Sequence, residues 1–356
     1  GDHGICGRLS ADRFACLIEH REDYSDEMFT QSTARIKSGF GNRNVVLKYG
    51  IYRVEDREVP VEQMCDRALL AVQSIKGQYG KHFAFYDDKL RDTLLHRQAI
   101  TDGMERALAS GQFEVYLQPK FRIADGSLSG AEALVRWNHP EWGLQPPSEF
   151  IPLFERNGFI NELDFYMLEQ ACRRYQDLDV EGQKPIHLAV NISRVSMLQN
   201  DFEERFVSLV ERYGMPPERL HVEVTEGVFS VDEDTVLNIL EDLQQRGFPI
   251  AMDDFGTGYS NLSTLLELPF DVVKLDKSIL RSVTEDEHLV EFFALLASGF
   301  GVLGTQALSE GVETPEQRAF LGRCGCDLMQ GYLFSRPLPP EEAAAAIAAS
   351  EGRGEE

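Results

Sequence analysis

Seven acidic or amide side chains lie at the ends of strand-like apolar runs such as AEALVRW, HLAVNIS, LHVEVTE and PIAMDDF. They are Glu132, Asn191, Glu223, Asp253, Asp254, Glu310 and Gln330. If these runs form one sheet, the oxygen atoms of the seven side chains converge at one edge of it. Oxygen ligands of this kind suit a hard divalent cation. The spacing therefore predicts a metal-binding pocket.

The first of these runs also carries a guanidinium group. Alternation along a strand places Glu132, Leu134 and Arg136 on one face. A carboxylate that binds a metal, beside a guanidinium that binds phosphate, is an arrangement suited to a phosphodiester. A structural ion pair between Glu132 and Arg136 is the alternative.

Asp253 and Asp254 are adjacent, so on a regular strand their side chains would face opposite ways. Both can reach one site only if the chain turns, and we expect Gly256, Thr257 and Gly258 to supply that turn. Two neighbouring buried carboxylates repel each other unless a cation lies between them. The pair therefore indicates a metal site, with an ordinary surface turn as the alternative.

Lys274 lies inside the apolar run DVVKLDKS. A buried ammonium without a partner is costly, so we expect Lys274 to point into the acidic lumen of the barrel that these strands are expected to form. There it would hold an attacking water or a phosphoryl oxygen, or it would form a buried salt bridge.

The surrounding pattern predicts eight strands. Residues 114–123 and 128–137 are joined by Ala124-Asp125-Gly126-Ser127, a turn sequence that predicts an antiparallel hairpin. Helical patterns separate the later strands, as in parallel βαβ units; those strands are expected near 186–192, 220–225, 248–253, 271–275, 305–309 and 326–330. The predicted fold is an α/β TIM-type (β/α)8 barrel with one antiparallel strand. In such barrels the chemistry lies at the carboxyl ends of the strands.

A chain of 356 residues exceeds what one hydrophobic core usually serves, so two domains are expected. Residues 1–87 form a small α/β unit in this prediction, and residues 88–110 form a linker helix. The barrel occupies residues 111–345, and residues 346–356 form a tail.

The formal net charge of −24 argues against a nucleic-acid polymer as partner, because proteins that bind one cluster Lys and Arg against phosphates. The six cysteines show no zinc or disulfide spacing, which favours a reducing cytosol. Charged residues interrupt every apolar run well before membrane-spanning length, so no membrane contact is expected within this chain. We therefore predict a cytoplasmic protein, and this prediction is compatible with a sensor or membrane segment upstream of Gly1.

Seven ordered motifs carry a family resemblance. AEALVRW, VNIS, EVTE, DDFGTGYSN, DVVKLDKS, SEGVET and QGYLFSRPLP closely resemble the EAL-domain family of cyclic di-GMP phosphodiesterases, over roughly residues 96–342. The resemblance implies hydrolysis of one phosphodiester of cyclic di-GMP to linear pGpG, with two cations, Mg²⁺ or Mn²⁺, in each active site.

The resemblance also implies a role for each site residue. One cation would be held by Glu132, Asn191, Glu223 and Asp253, and a second by Asp253 and Asp254, with Asp253 bridging. Lys274 and Glu310 would position or activate the attacking water. Gln330 would support the site, Glu226 would steady the loop after Asp254, and Gln118 and Arg136 would contact the substrate.

Two alternatives to this enzyme stay open. One is a non-catalytic receptor of cyclic di-GMP, and the other is a barrel that hydrolyses a different phosphodiester. By the same resemblance we expect a homodimer formed through helices at the edge of the barrel.

Residues 1–87 resemble the C-terminal half of a GGDEF (diguanylate cyclase) domain. Ser10-Ala11-Asp12-Arg13-Phe14 occupies its signature position, where loss of the glycine pair removes the close backbone approach to a triphosphate. We therefore expect a degenerate domain without cyclase activity, in a regulatory or dimerising role.

Overall fold

A computed structural model describes residues 4–10, 13–19, 25, 27–31, 33, 47–78, 80–178, 186–230, 232–257, 270–283, 287–343 and 345. The chain divides into two compact units, Gly1–Asp102 and Gly103–Glu356. Among the described residues, no helix is both long and apolar enough to cross a membrane.

The N-terminal unit contains two small sheets. Strands β1 (Gly4–Arg8) and β2 (Phe14–Ile18) form an antiparallel hairpin, and β3 (Tyr49–Ile51) pairs in parallel with β4 (Phe83–Phe85). Helix α1 (Val61–Ser74) lies between β3 and β4 in the chain. Part of the predicted signature segment, residues 11 and 12, lies outside the described residues.

Helix α2 (Asp88–Ala109) covers the predicted linker helix. The division between the two units falls within α2, between Asp102 and Gly103. The last turns of the helix therefore belong to the second unit.

The second unit is an eight-stranded barrel. Its strands are β5 (Phe113–Arg122), β6 (Leu128–His139), β8 (His187–Asn191), β9 (Leu220–Thr225), β10 (Ile250–Phe255), β11 (Val272–Leu275), β12 (Gln306–Ser309) and β13 (Leu328–Met329). They follow the order β5-β13-β12-β11-β10-β9-β8-β6, and pairing of β5 with β6 closes the ring. The short strand β7 (Gly143–Gln145) pairs outside the ring with the end of β6.

Strand β5 runs antiparallel to both of its neighbours, β6 and β13, whereas the other neighbouring strands in the ring are parallel. The predicted barrel with one reversed strand is therefore confirmed. The hairpin turn at residues 123–127 is too short for a crossover helix, which forces this reversal.

Helices follow most of the parallel strands and surround the ring. They are α3 (Pro147–Asn157), α4 (Ile160–Leu178), α5 (Arg194–Met197), α6 (Phe202–Arg212), α7 (Glu233–Gln245), α8 (Lys277–Val283), α9 (Glu287–Leu303) and α10 (Pro315–Arg323). Helix α10 begins with a capping box, in which Thr314 and Gln317 each accept a hydrogen bond from the backbone of the other.

The buried apolar residues Ala251, Val272, Leu308 and Leu328 form one core cluster of the barrel. We call the carboxyl ends of the parallel strands the rim and their amino ends the floor. The floor encloses a cavity of about 90 Å³, and its polar lining includes Lys120, Arg122, Ser129, His187, His221 and Gln306.

Candidate active site

Lys274 lies at the centre of a group of acids at the rim. Its ammonium is 2.9 Å from Oε2 of Glu223, 3.0 Å from Oδ1 of Asp253, 3.0 Å from Oε1 of Glu310 and 3.2 Å from Oε2 of Glu132. The side chain is only 1% exposed. The predicted orientation of Lys274 into an acidic lumen is therefore confirmed. We use the name rim cluster for Lys274 together with Glu132, Asn191, Glu223, Asp253, Asp254, Glu310 and Gln330.

The charge of Lys274 is fixed by these neighbours. Burial alone would lower the pKa of this amine, but the carboxylates of Asp253, Glu132, Glu223 and Glu310 outweigh burial and raise the pKa well above its ordinary value. Lys274 therefore remains a cation within the rim cluster.

Glu132 is held by two amides that the sequence placed on other strands. Asn191 donates from Nδ2 to Oε1 of Glu132 over 2.9 Å, and Gln330 donates from Nε2 to Oε2 over 2.8 Å. Glu132 thus contacts two amides and Lys274, whereas the guanidinium of Arg136 donates to the carbonyl of Val135. These contacts favour the interpretation of Glu132 as a site residue over a structural pair with Arg136.

Gln330 is positioned by the backbone at the end of β13. Its N–H donates to the carbonyl of Ser309, and its carbonyl accepts from the N–H of Val312. A Cβ at Gly331 would collide with the backbone of Val312, so the next position requires glycine. The side chain of Gln330 is 3% exposed and faces the rim cluster.

A β-bulge brings Asp253 and Asp254 to one site. The register between β10 and β11 shifts between Met252 and Phe255, and Asp254 adopts a left-handed φ of 57°. The prediction that the chain turns here is confirmed, but the turn starts at Asp254 itself, earlier than expected. Gly256, with φ of 97°, continues it. Gly258, the last of the predicted turn residues, lies outside the described residues.

Glu226 supports this turn from the neighbouring strand. It begins the 3-10 helix Glu226–Ser230 directly after β9, and its Oε2 accepts a hydrogen bond of 3.0 Å from the N–H of Gly256. A Cβ at Gly256 would press on Ile279. Gly256 is therefore constrained by Glu226 through its N–H and by Ile279 at its Cα.

The carboxylates form two overlapping groups. Ligand atoms of Glu132, Glu223 and Asp253 lie within 4.8 Å of one another, and so do those of Asp253, Asp254 and Glu310. Asp253 belongs to both groups. In addition, Oε1 of Gln330 is buried and has no hydrogen-bond partner among the described residues. Hard oxygen donors at this spacing, with one buried acceptor left over, fit a divalent cation.

Burial and neighbouring charges shift the pKa values of three carboxyl groups in opposite directions. Burial raises the pKa of Glu310 to about 7. Burial and the charge of Asp253 raise the pKa of Asp254. Burial alone would raise the pKa of Glu223, but Lys120 and Lys274 outweigh it and lower the pKa, so this carboxyl stays ionised.

The two predicted substrate-binding residues flank Glu132. Gln118 lies directly opposite Glu132 in the β5–β6 pair, so the two side chains share the lumen face, and Nε2 of Gln118 is 3.4 Å from the carbonyl of Ser335. Arg136 is half-buried, with its guanidinium carbon 5.7 Å from the ring centre of Tyr116. Burial lowers the pKa of Arg136.

Two buried charged residues near the site, Lys120 and Asp164, were not predicted from the sequence. The ammonium of Lys120 lies 2.5 Å from Oε1 of Glu223. Asp164, on α4, accepts hydrogen bonds from the N–H of Ser193 and the hydroxyl of Ser196, just after Asn191, and burial raises its pKa to about 6. Alternation from Gln118 along β5 would have indicated Lys120, because both face the lumen. Asp164 carries no comparable signal, since it lies on a helix distant in sequence.

The fold and the rim cluster together define an α/β barrel with a carboxylate site at the carboxyl ends of its strands. Residues 102–337 match the family described as EAL domain. This match covers more than half of the chain, and the chain therefore belongs to the EAL domain family.

Two curated relatives from Pseudomonas aeruginosa agree with this assignment. The cyclic di-GMP phosphodiesterase NbdA is 32% identical over 95% of this chain and 44% of its own length. The cyclic di-GMP phosphodiesterase RocR is 36% identical over 66% of this chain and 60% of its own length. The chain thus spans only part of each relative.

A solved structure described as the PaMucR phosphodiesterase in complex with c-di-GMP is also similar. It is 35% identical, with a TM-score of 0.65, and the match covers 68% of this chain and 99% of that one.

Proposed function

We propose that the barrel is a metal-dependent phosphodiesterase that hydrolyses cyclic di-GMP to linear pGpG. The observation that carries this proposal is the pair of overlapping carboxylate groups that share Asp253 at the rim. The named relatives, which are phosphodiesterases of cyclic di-GMP, support the substrate.

Two cations, Mg²⁺ or Mn²⁺, would be held by Glu132, Asn191, Glu223, Asp253 and Asp254. Bound there, they would supply charge stabilisation for a phosphoryl group and lower the pKa of water. Gln330 would contribute by fixing Glu132 through its amide. Glu226 would keep Asp254 in place through its hydrogen bond to the N–H of Gly256.

Lys274 and Glu310 would act on the attacking water. The Lys274 ammonium donates to oxygen atoms in the middle of the rim cluster, where it can orient a water or a phosphoryl oxygen. A pKa of about 7 for Glu310 suits proton transfer near neutral pH, so its carboxylate would accept the proton of the water.

Gln118 and Arg136 would bind the dinucleotide. Arg136 supplies a fixed positive charge on the same strand as Glu132, and a guanidinium can bind a phosphate through two hydrogen bonds. Gln118 faces the lumen directly across from Glu132 and offers an amide to a polar group of the ligand.

A turnover assay tests the proposed function. The purified chain is mixed with cyclic di-GMP and either Mg²⁺ or Mn²⁺, and pGpG is measured by chromatography with and without chelator. We expect pGpG only with metal. Binding of cyclic di-GMP without turnover would instead favour the receptor. Turnover of another phosphodiester that unlabelled cyclic di-GMP fails to inhibit would favour a barrel that hydrolyses that other phosphodiester.

Residues 1–87 are proposed to be the degenerate C-terminal half of a GGDEF domain, without cyclase activity. Support comes from a relative named a bifunctional diguanylate cyclase and cyclic di-GMP phosphodiesterase, MucR of Pseudomonas aeruginosa, which is 29% identical over 96% of this chain. Incubation with GTP should give no cyclic di-GMP, and formation of the product would contradict this assignment.

A homodimer through the barrel is also proposed. Helix α9 exposes a row of apolar side chains, with Phe292 60%, Leu295 72% and Val302 85% exposed. A second copy that covers this row would remove apolar surface from water. Analytical ultracentrifugation should show a dimer that Leu295→Glu dissociates, and a monomer at working concentration would refute the proposal.

A further inference from the structure

The carboxylate of Glu223 is contacted by a different lysine at each oxygen. Oε2 lies 2.9 Å from the ammonium of Lys274, and Oε1 lies 2.5 Å from the ammonium of Lys120. The Glu223 side chain is 0% exposed and that of Lys120 is 10% exposed. Such short charge-assisted hydrogen bonds in a buried setting fix the orientation of a carboxylate.

The two lysines approach from opposite ends of the barrel. Lys274 contacts the other carboxylates of the rim cluster, whereas Lys120 lines the cavity at the floor. Lys120 comes from β5, the reversed strand, so two residues after Gln118 the chain has moved from the rim toward the floor. The residue directly opposite Lys120 is Gly130, so β6 places no side chain beside the lysine at this position.

We propose that Lys120 is a positioning residue of the cation site: its ammonium holds Oε1 of Glu223 from the floor and so directs Oε2 toward Glu132 and Asp253. This inference rests on the proposed function only where it treats the site as catalytic, and Lys120 is expected to affect the binding of a divalent cation whether or not the site is catalytic.

Orientation and simple electrostatics predict opposite effects. A lysine that only adds positive charge beside the rim cluster would weaken the attraction for a cation, so its removal would tighten binding. A lysine that orients a ligand would strengthen binding, because groups that hold a metal ligand in place are typically worth about 10-fold to 100-fold in affinity. The sign of the change therefore separates the two roles.

The experiment measures binding of Mn²⁺ alone to the full chain, by the loss of the free-ion signal in electron paramagnetic resonance. We expect Lys120→Met to weaken Mn²⁺ affinity by about 10-fold or more, and Lys120→Arg to restore most of it. Arg122→Met is the matched control, because Arg122 lies on the same strand and lines the same cavity but is exposed. Its affinity should equal that of the wild type.

Unchanged or tighter Mn²⁺ binding by folded Lys120→Met would overturn the proposal. Circular dichroism establishes folding, and if Lys120→Met does not fold, Lys120→Gln decides the question. The shorter, uncharged amide cannot hold Oε1 in the same place, so its affinity should also fall by about 10-fold; affinity within twofold of the wild type would reject the role.

Failure of this inference is distinguishable from failure of the proposed function. Wild-type turnover of cyclic di-GMP together with normal Mn²⁺ binding by Lys120→Met would reject only the role of Lys120. Weak Mn²⁺ binding by Lys120→Met together with no wild-type turnover would reject only the enzyme.

Discussion

The rim and the floor of this barrel belong to the same eight strands but carry opposite charge. At the rim, four carboxylates contact the ammonium of Lys274, and a fifth, that of Asp254, lies beside two of them. At the floor, the ionisable side chains that line the cavity are Lys120, Arg122, His187 and His221. One scaffold thus holds an acidic site and a basic cavity, and Lys120 belongs to the cavity lining while it contacts Glu223 of the rim cluster.

The pKa values at the two ends show what burial does to each kind of group. Burial raises the pKa of Glu310 at the rim to about 7, and it lowers the pKa of His221 at the floor to about 3, helped by the charge of Lys120. In both cases burial disfavours the charged form. The rim therefore retains charge where a lysine or cation compensates it, whereas His221 at the floor stays neutral.

The largest effect on stability should come from removing the ammonium of Lys274 at the centre of the rim. Without metal, Lys274→Met leaves several buried carboxylates uncompensated, and we expect the free energy of unfolding to fall by about 3–5 kcal/mol. Added Mg²⁺ should raise the melting temperature of this variant more than that of the wild type. Urea titration with chelator and thermal melts with Mg²⁺ measure both, with exposed Lys277→Met as control. Equal stability of Lys274→Met and wild type would contradict the arrangement.

The second effect concerns catalysis at the rim. Glu132→Ala removes the carboxylate that binds Asn191, Gln330 and Lys274, so turnover of cyclic di-GMP should fall by about 10³-fold. Exposed Glu141→Ala, just beyond the end of β6, should keep wild-type turnover. Retention of activity in folded Glu132→Ala would break the contrast between a catalytic rim and a non-catalytic floor.

The third effect is a pH dependence at the rim. Because the pKa of Glu310 rises from 4.5 to about 7 on folding, the folded state binds the proton more tightly. Its contribution to stability is therefore full below about pH 4.5 and lost as pH rises toward 7. With chelator present, the loss should be about 3 kcal/mol, and Glu310→Gln should abolish it. If the free energy of unfolding varies with pH in the same way for wild type and Glu310→Gln, the raised pKa of Glu310 is absent.

The fourth effect runs in the opposite direction at the floor. The pKa of His221 falls from 6.5 to about 3 on folding, so the folded state binds the proton less tightly. Its contribution is full above about pH 6.5 and is lost as pH falls toward 3, by about 2 kcal/mol at pH 5. His221→Phe should remove this slope. Urea titrations between about pH 5 and about pH 7 measure the slope of the free energy of unfolding against pH. An unchanged slope in the variant would exclude His221 as its source.

The smallest effect should come from the exposed edge of the floor. Arg122→Met removes an exposed charge from the lining of the cavity, so stability should change by less than about 0.5 kcal/mol. Turnover should be unchanged. A large loss in either measurement would show that the floor as a whole supports the rim, beyond Lys120.

Much of the fold was predictable because its signals are local. The turn at residues 124–127 forces one antiparallel pair, and the alternation of apolar runs with helical patterns predicts the parallel strands, which the structure confirms. The convergence of Glu132, Glu223 and Asp253 also follows, since the carboxyl ends of parallel strands meet at one rim.

Other features depended on contacts between residues distant in sequence. The bulge that places φ of Asp254 at 57° arises from the pairing of β10 with β11, which no local pattern specifies. The contact of Lys120 with Glu223 joins residues 103 positions apart. Asp164 also depends on distant contacts, because its hydrogen-bond partners Ser193 and Ser196 follow strand β8.

The sequence by itself determined the kinds of element, their order, and which side chains end the strands, because periodicity and turn chemistry act over a few residues. Only the tertiary structure decided which oxygen of Glu223 faces which lysine, where the chain bulges at Asp254, and that the floor is basic. These properties depend on register and ring closure, and register is set by packing of the whole sheet rather than by any one strand.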